Sequence, residues 1–403
     1  MRAGQSPAAL LRQVWQQALG SFDLHAHVHH ALAKALPRQP PVDLVIAVGK
    51  MAGPMLAAAR GLLPKRAHVL VIAPDGAVIG RGAHELMRAA HPIPDARSVR
   101  AAQRAQAAIA KSTSVLVLLS GGASALMCDP SLPLSQYQAL AQGLLFSGAN
   151  ISGINAVRRH LSRTGGGRLA ALAFPRPVLT VAVSDVIAGR RRDIGSGPTL
   201  FDPDGLLRAQ AVLQRHGLSV PSGALLPPVP QERLRHARFV MAVSAAGFCA
   251  HTAGLLSARG LQPRVLAPSL ASAPRLAAQY AAMRLAHGQC IVRAAEPRLV
   301  VPAQGVGRGG RCTHLAALMA PWLRPDHAFL AGATDGVDGA SQTSGAIVGR
   351  EHATPAVARS LLSFDTGAAL SSARATLRAG PTGLNFADVH VLLRAPRRTD
   401  AAR

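Results

Sequence analysis

The chain has 403 residues, with 44 lysines and arginines against 19 aspartates and glutamates, a formal net charge of +25, 3% aromatic residues and four cysteines. That length suits two or three domains with ample cores of small aliphatic side chains. No apolar run reaches the roughly 20 residues of a membrane helix, the N-terminus lacks a signal peptide's apolar centre and cleavage site, and the cysteines show neither zinc nor disulfide spacing, so a soluble cytoplasmic protein is expected.

A charge of this size attracts nucleic acid and other polyanions. Here, however, the arginines are spread over the whole chain, and no zinc-finger, RNA-recognition or oligonucleotide-barrel signature accompanies them. Nucleic acid is therefore not the expected partner.

The first 22 residues read as an amphipathic helix, followed by "HAHVHH" with His25, His27, His29 and His30. No carboxylate or cysteine shares that spacing, so ordinary surface histidines explain it better than a metal site. Next come the apolar runs "DLVIAVG" (43–49), "HVLVIAP" (68–74), "SVLVLLSGG" (114–122), "VLTVAVSD" (178–185) and "RFVMAVSA" (238–245). They are continuous rather than alternating, as strands of a parallel sheet covered on both faces must be. Helical patterns separate them, which predicts an open α/β fold with ligands at the carboxyl ends of the strands.

Candidate site residues sit at those ends. Lys50, in "AVGKMAGPM", lies between a strand and a helix start, where a point charge can neutralise phosphate oxygens; the plain alternative is a surface lysine at a turn. "LLSGGASALM" supplies Ser120, Gly121, Gly122 and Ser124, a turn whose backbone can approach an anion, or simply a tight strand–helix connection. "NAVRRHLSRTGGGRLA" offers Asn155 and Arg158, although Arg158 and Arg159 equally suit a solvated helix face. In "SDVIAGRRRDIGSGPT" (184–199), Asp185 follows an apolar run, three arginines follow it, and Ser196 and Gly197 lie in a turn.

Beyond the proline-rich 227–236 the texture changes to short strands joined by glycine-rich loops. The expected division is 1–235 and a smaller α/β domain over 236–403, with the boundary somewhere between 225 and 290. There, "GVGRGGRCTHLAAL" places Arg311 as a bidentate donor at a helix start. "ATDGVDGASQTSGA" places Thr334, Asp335 and Asp338 on one loop, where the carboxylates suit Mg²⁺ or a substrate hydroxyl, or ordinary Asx turns. Anion-cradling loops with few acids form the inventory of phosphoryl transfer.

In this order, the motifs "AVGKMAGPM", "HPIPDARS", "LLSGGASALM", "LLFSGANISGINAVRRHLS", "SDV…IGSGPT", "GRGGR", "TDGVDG…SGAIV" and "GPTGLN" resemble the glycerate 2-kinase family, whose members end in a MOFRL domain and also go under the name hydroxypyruvate reductase. The resemblance spans about residues 8 to 395. It implies a Rossmann-like domain and a smaller C-terminal domain flanking a cleft, with ATP and Mg²⁺ as cofactors and glycerate, a small molecule, as substrate. Lys50 would stabilise the phosphoryl in flight, Asp185 would orient the glycerate hydroxyl, and Arg311 would come from the second domain. The remaining candidates would hold nucleotide or substrate carboxylate, and the metal ligands are not identified.

The chain also departs from the family. Ala188 and Gly189, followed by Arg190, Arg191 and Arg192, stand where the family has Gly-Asp after its "SDV". The lysine before Gly-Gly-Arg-Leu is Gly165, and Cys312, Thr313 and His314 replace Asn-Gln-Glu. Two readings follow: a working kinase, or a non-catalytic homologue that binds an anionic metabolite or nucleotide. The oligomeric state stays open between monomer and homodimer. A nicotinamide fingerprint is absent, so hydride transfer is not expected.

Overall fold

The computed structural model describes residues 6–397 apart from 150, 185, 186, 188, 189, 303–306, 379 and 381, with Leu145 and Ile151 taken as backbone only. Asp185, a candidate from the sequence, thus lies outside the described residues. The chain divides into two compact units, Asp23–Val243 and the combination of Met1–Phe22 with Ser244–Arg403. Among the described residues no helix is long and apolar enough to cross a membrane.

The first unit is built on six parallel strands: β1 (Leu44–Val48), β2 (His68–Pro74), β3 (Glu85–Ala89), β4 (Val115–Leu119), β5 (Val178–Val183) and β6 (Ala237–Val243). Every residue of β1, β4 and β5 is buried, which is why their sequences are continuously apolar. Strand β3, at an edge, buries only its last residue and reads "ELMRA", so its sequence gives no such signal. The order is β3-β2-β1-β4-β5-β6. Connections run outward in both directions from the β1–β4 pair, so the sheet reverses there and leaves a crevice at the carboxyl ends of these two strands. One face of the sheet is packed by Ala101, Ala105 and Ile109 of the helix Ala96–Lys111, and by Leu169 and Ala173 of the helix Arg168–Ala173.

The second unit holds β7 (Gln262–Val265), β8 (Gln289–Ala295), β9 (His327–Ala333), β10 (Gly345–Val348), β11 (Thr376–Leu377) and β12 (Asp388–Arg394), in the order β11-β10-β9-β12-β8-β7. Only the β7–β8 pair is parallel; the other four pairings are antiparallel. Helix Pro7–Ser21 belongs to this unit and turns Leu10, Leu11, Val14, Trp15 and Ala18 inward. Its Trp15 ring lies where a side chain at Gly332 of β9 would stand, 2.7 Å from a Cβ there, and meets Phe248 edge-on at 6.2 Å. The fold is therefore α/β: a Rossmann-like parallel sheet, and a second α/β unit around a mixed sheet.

Candidate active site

The β1–β4 crevice is closed at its base by a lock between two turns. The Lys50 amide donates to the Gly121 carbonyl (2.9 Å), and the Met51 amide donates to Ser120 Oγ (3.0 Å). Gly49 has a φ of +121°, and a Cβ there would press on Ser120 Oγ and lie 2.7 Å from the Ser120 carbonyl oxygen. Only glycine suits both the conformation and the space. The buried Ser120 hydroxyl, which also donates to the Val48 carbonyl (3.3 Å), thus ties the two turns together.

Gly122, at φ +87°, turns the chain into the short helix Ala123–Leu126. A Cβ at this glycine would lie 3.3 Å from Lys50 Cγ and 3.2 Å from His91 Cδ2, so the lysine stem and the imidazole converge on one glycine. Part of the His91 side chain is exposed, yet desolvation, together with the charges of Lys50 and Arg158, lowers its pKa to about 4. The ring is neutral at neutral pH. Lys50 and Arg158 form no ion pair among the described residues. One terminal nitrogen of the Arg158 guanidinium is buried with no hydrogen-bond partner among the described residues.

Arg158 and Arg159 are adjacent on the helix Ile151–His160 but face different surroundings. Arg159 is fully buried, donating to Asp193 at 2.7 Å, to the Arg192 carbonyl at 2.8 Å, and to Asp202. Asp202 also takes Arg192 and Arg208; burial opposes its ionisation, but the Arg159 charge and these donors hold its pKa below the ordinary value. The arginine loop is therefore anchored inward through Arg192, while Arg190 and Arg191 are exposed. Asp193 is committed to Arg159 and to the Arg190 amide (2.9 Å). Asn155 Nδ2 donates to the Asp193 carbonyl at 3.4 Å.

The Ser124 and Ser196 hydroxyls bond each other at 2.8 Å, joining the Gly122 turn to the end of the arginine loop. Gly197, at φ +55°, passes so close to Arg192 that a Cβ would meet its carbonyl oxygen at 2.7 Å. The structure thus gathers Lys50, Gly121, Gly122, Ser124 and Ser196 around one turn system. It adds Arg158 electrostatically, and it gives Ser120 and Gly197 structural work.

In the second unit, Arg311 opens the helix Arg311–Met319 and pairs with Glu296 and, at 3.2 Å, with Asp388. Burial works against the Arg311 charge, but the two carboxylates hold its pKa well above the usual value. Burial raises the Asp388 pKa to about 7 against the pull of Arg311, with Asp338 and Glu296 adding to the rise. Buried Asp338 receives the Cys312 and Thr313 amides at 2.9 and 2.8 Å and so caps this helix. Exposed Asp335 forms an Asx turn with the Val337 amide (3.0 Å). Thr334 donates to the Ala387 carbonyl (2.7 Å) and accepts from the Phe386 amide (2.8 Å). Among the described residues no three histidine, cysteine or acidic side chains could hold a metal ion.

Sequence reasoning on single motifs singled out neither His91 nor Asp388. His91 was visible only within "HPIPDARS", and its importance depends on the Gly122 turn approaching from 31 positions along the chain. Asp388 follows a glycine-rich loop, with nothing nearby to mark it as buried.

Comparison with known proteins places these features in a family. A domain of unknown function, DUF4147, matches residues 10–225, and the MOFRL family matches residues 289–388. An Agrobacterium vitis protein with the provisional name hydroxypyruvate reductase is 32% identical, over 85% of this chain and 83% of its own. D-glycerate 2-kinase of Thermotoga maritima is 30% identical, over 86% of this chain and 89% of its own. The crystal structure of glycerate kinase from Thermotoga maritima superposes with a TM-score of 0.83 at 27% identity, covering 96% of this chain and 99% of that one.

Proposed function

The chain belongs to the glycerate 2-kinase family, in which a DUF4147 region precedes a MOFRL region, and from that membership we propose that it phosphorylates D-glycerate with ATP in the cytoplasm, giving 2-phosphoglycerate and ADP. The supporting observation is the buried guanidinium nitrogen of Arg158, without a partner among the described residues, on a side chain whose charge acts on His91 together with that of Lys50. A buried donor without an acceptor costs about 1–3 kcal/mol, and an arriving phosphate or carboxylate oxygen removes that cost.

Phosphoryl transfer asks the protein mainly for positioning and charge neutralisation. Lys50 is a compact charge suited to the transferring phosphoryl oxygens, and Arg158 a fork suited to a phosphate or to the glycerate carboxylate. Neutral His91 leaves the two cations facing the anion without a third and can accept a hydrogen bond from a substrate hydroxyl. The glycerate 2-hydroxyl gives up its proton, which passes to the Asp185 carboxylate and from there to water, as its oxygen bonds to phosphorus and the bond to the ADP oxygen breaks. By the family's motif, Asp185 orients that hydroxyl. Mg²⁺ bound with ATP would supply neutralisation of the β- and γ-phosphates; the described residues do not form a carboxylate set that fits it.

The test is glycerate-dependent release of ADP from ATP by the wild-type protein, with Lys50→Ala and Arg158→Ala as controls. Turnover that falls in both variants supports the kinase. Folded wild-type protein that binds ATP but releases no ADP with glycerate would make this chain a binder of the anion alone.

A further inference from the structure

A second concentration of positive charge lies on the first unit, in a hollow that shares no residue with the Lys50 crevice. It has a volume of about 360 Å³ and is lined by Gln106, Arg163, Arg168, Ala171, Leu172 and Arg233. Ligand sites start at about this size.

Three arginines line it with little to neutralise them. Arg168 is half-buried and, among the described residues, bonds only to carbonyls, those of Arg159 (3.1 Å), Gly165 (3.0 Å) and Pro227. Burial and the nearby Arg159 charge lower its pKa to about 10, the mark of a cation that lacks an anion. Arg233 donates to the Ala171 carbonyl at 3.3 Å and lies over the Phe174 ring at 4.8 Å, again on neutral partners. Arg163 donates to the Pro130 carbonyl and stands 3.8 Å from Asp129, whose carboxylate already accepts from Gln106 at 3.2 Å. Asp129 is thus the one carboxylate paired with this trio among the described residues, against three positive charges.

Neutral partners fix the direction of the Arg168 and Arg233 guanidiniums and leave their charge available, while Arg163 shares its charge with Asp129. Such preorganisation favours binding, because little side-chain freedom remains to be lost. Arginine forks match tetrahedral oxyanions in particular. Leu172 and Phe174, 45% and 38% exposed, add an apolar rim.

We propose that the hollow lined by Arg163, Arg168 and Arg233 is a second anion site, one that takes a phosphate dianion, either free phosphate or the head of a small phosphate ester. The site stands independently of the kinase reading.

Calorimetric titration of the full-length Lys50→Ala protein, in which the first crevice is weakened, tests it with inorganic phosphate and with glycerol 2-phosphate at constant ionic strength. Saturable binding of one anion is expected. It should weaken at least tenfold in Arg163→Gln/Arg233→Gln, two exposed positions, and stay unchanged in the surface control Arg215→Gln. Melting without phosphate checks that the double variant folds; if it does not, Arg163→Gln alone should weaken binding at least threefold. A tighter ester identifies the ester class, and tighter inorganic phosphate identifies the free ion. Absence of saturable binding, equal affinity in the variants, or equal displacement by chloride overturns the site.

Discussion

Arg159 and Asp193 bond at 2.7 Å with both side chains shut off from solvent, and the same guanidinium reaches Asp202 on its other side. Asp202 balances Arg159, Arg192 and Arg208 at once, so its loss leaves several cations around one buried point. Breaking such a pair costs roughly 3–5 kcal/mol. Asp202→Asn should therefore lose several kcal/mol in urea unfolding, whereas Arg208→Ala at the edge of the cluster should lose less than about 1 kcal/mol. Equal losses would mean that the cluster does not hold the loop.

Neighbouring arginines should answer differently to the same change. Arg158→Ala removes an unpartnered buried donor, so the melting temperature should hold or rise while kcat/KM for glycerate falls roughly 10²–10³-fold. Arg159→Ala should destabilise the protein outright. Steady-state kinetics alongside thermal melts separate the two, and a stability loss in Arg158→Ala matching that of Arg159→Ala would remove the case for Arg158 as an anion ligand.

Gly49→Ala forces a Cβ against Ser120 in a backbone conformation that alanine avoids. The lock between the β1 and β4 turns must open, at a cost of about 3 kcal/mol. Chemical unfolding gives the number, and the damage should extend to catalysis through Lys50. A variant with wild-type stability and turnover would show that the turns are not coupled.

Acid should expose His390. Its ring is buried on β12, bonds the Tyr280 hydroxyl at 2.9 Å, and has its pKa lowered from 6.5 to about 3 by burial, with Arg293 and Arg311 assisting. Between those values the unfolded chain takes a proton that the native one refuses, so this contribution is complete above pH 6.5 and shrinks as pH falls towards 3. His390→Gln should flatten that part of the stability–pH curve. Asp388, two residues away and raised from 3.8 to about 7, acts in the opposite sense: its contribution is complete below pH 3.8, shrinks as pH rises and is gone once pH passes 7, and Asp388→Asn should flatten that limb. Unfolding free energies across pH 4–8 check both, and unchanged slopes in the variants would refute the assignments.

Burial on both faces is what made the sheet legible. Strand β2 occupies the residues 68–74 that its apolar run marked, and β1, β4 and β5 lie within theirs, because a two-sided core demands apolar residues without interruption. Edge strand β3 has no such demand and gave no signal. Helix Pro7–Ser21 was readable as a helix, but its packing beside Phe248 and Gly332 depends on contacts more than 200 residues away. At the site, residue types and glycine turns marked Lys50 and 120–124, whereas nothing local tells Arg158 from Arg159. Their difference arises from which side of one helix meets Asp193 and Asp202.

The Ser120–Met51 bond that closes the crevice joins residues 69 positions apart, and β1 can pair with β4 only after the chain has travelled out through β2 and β3 and back. Loops of that span form late, since their closure entropy is lost before any contact compensates for it. During synthesis the lysine would emerge well before the turn that orients it, and a nascent or refolding chain would hold native-like helices while still unable to grip a phosphate. Recovery of anion binding would therefore time the completion of the sheet, lagging behind the return of helical signal.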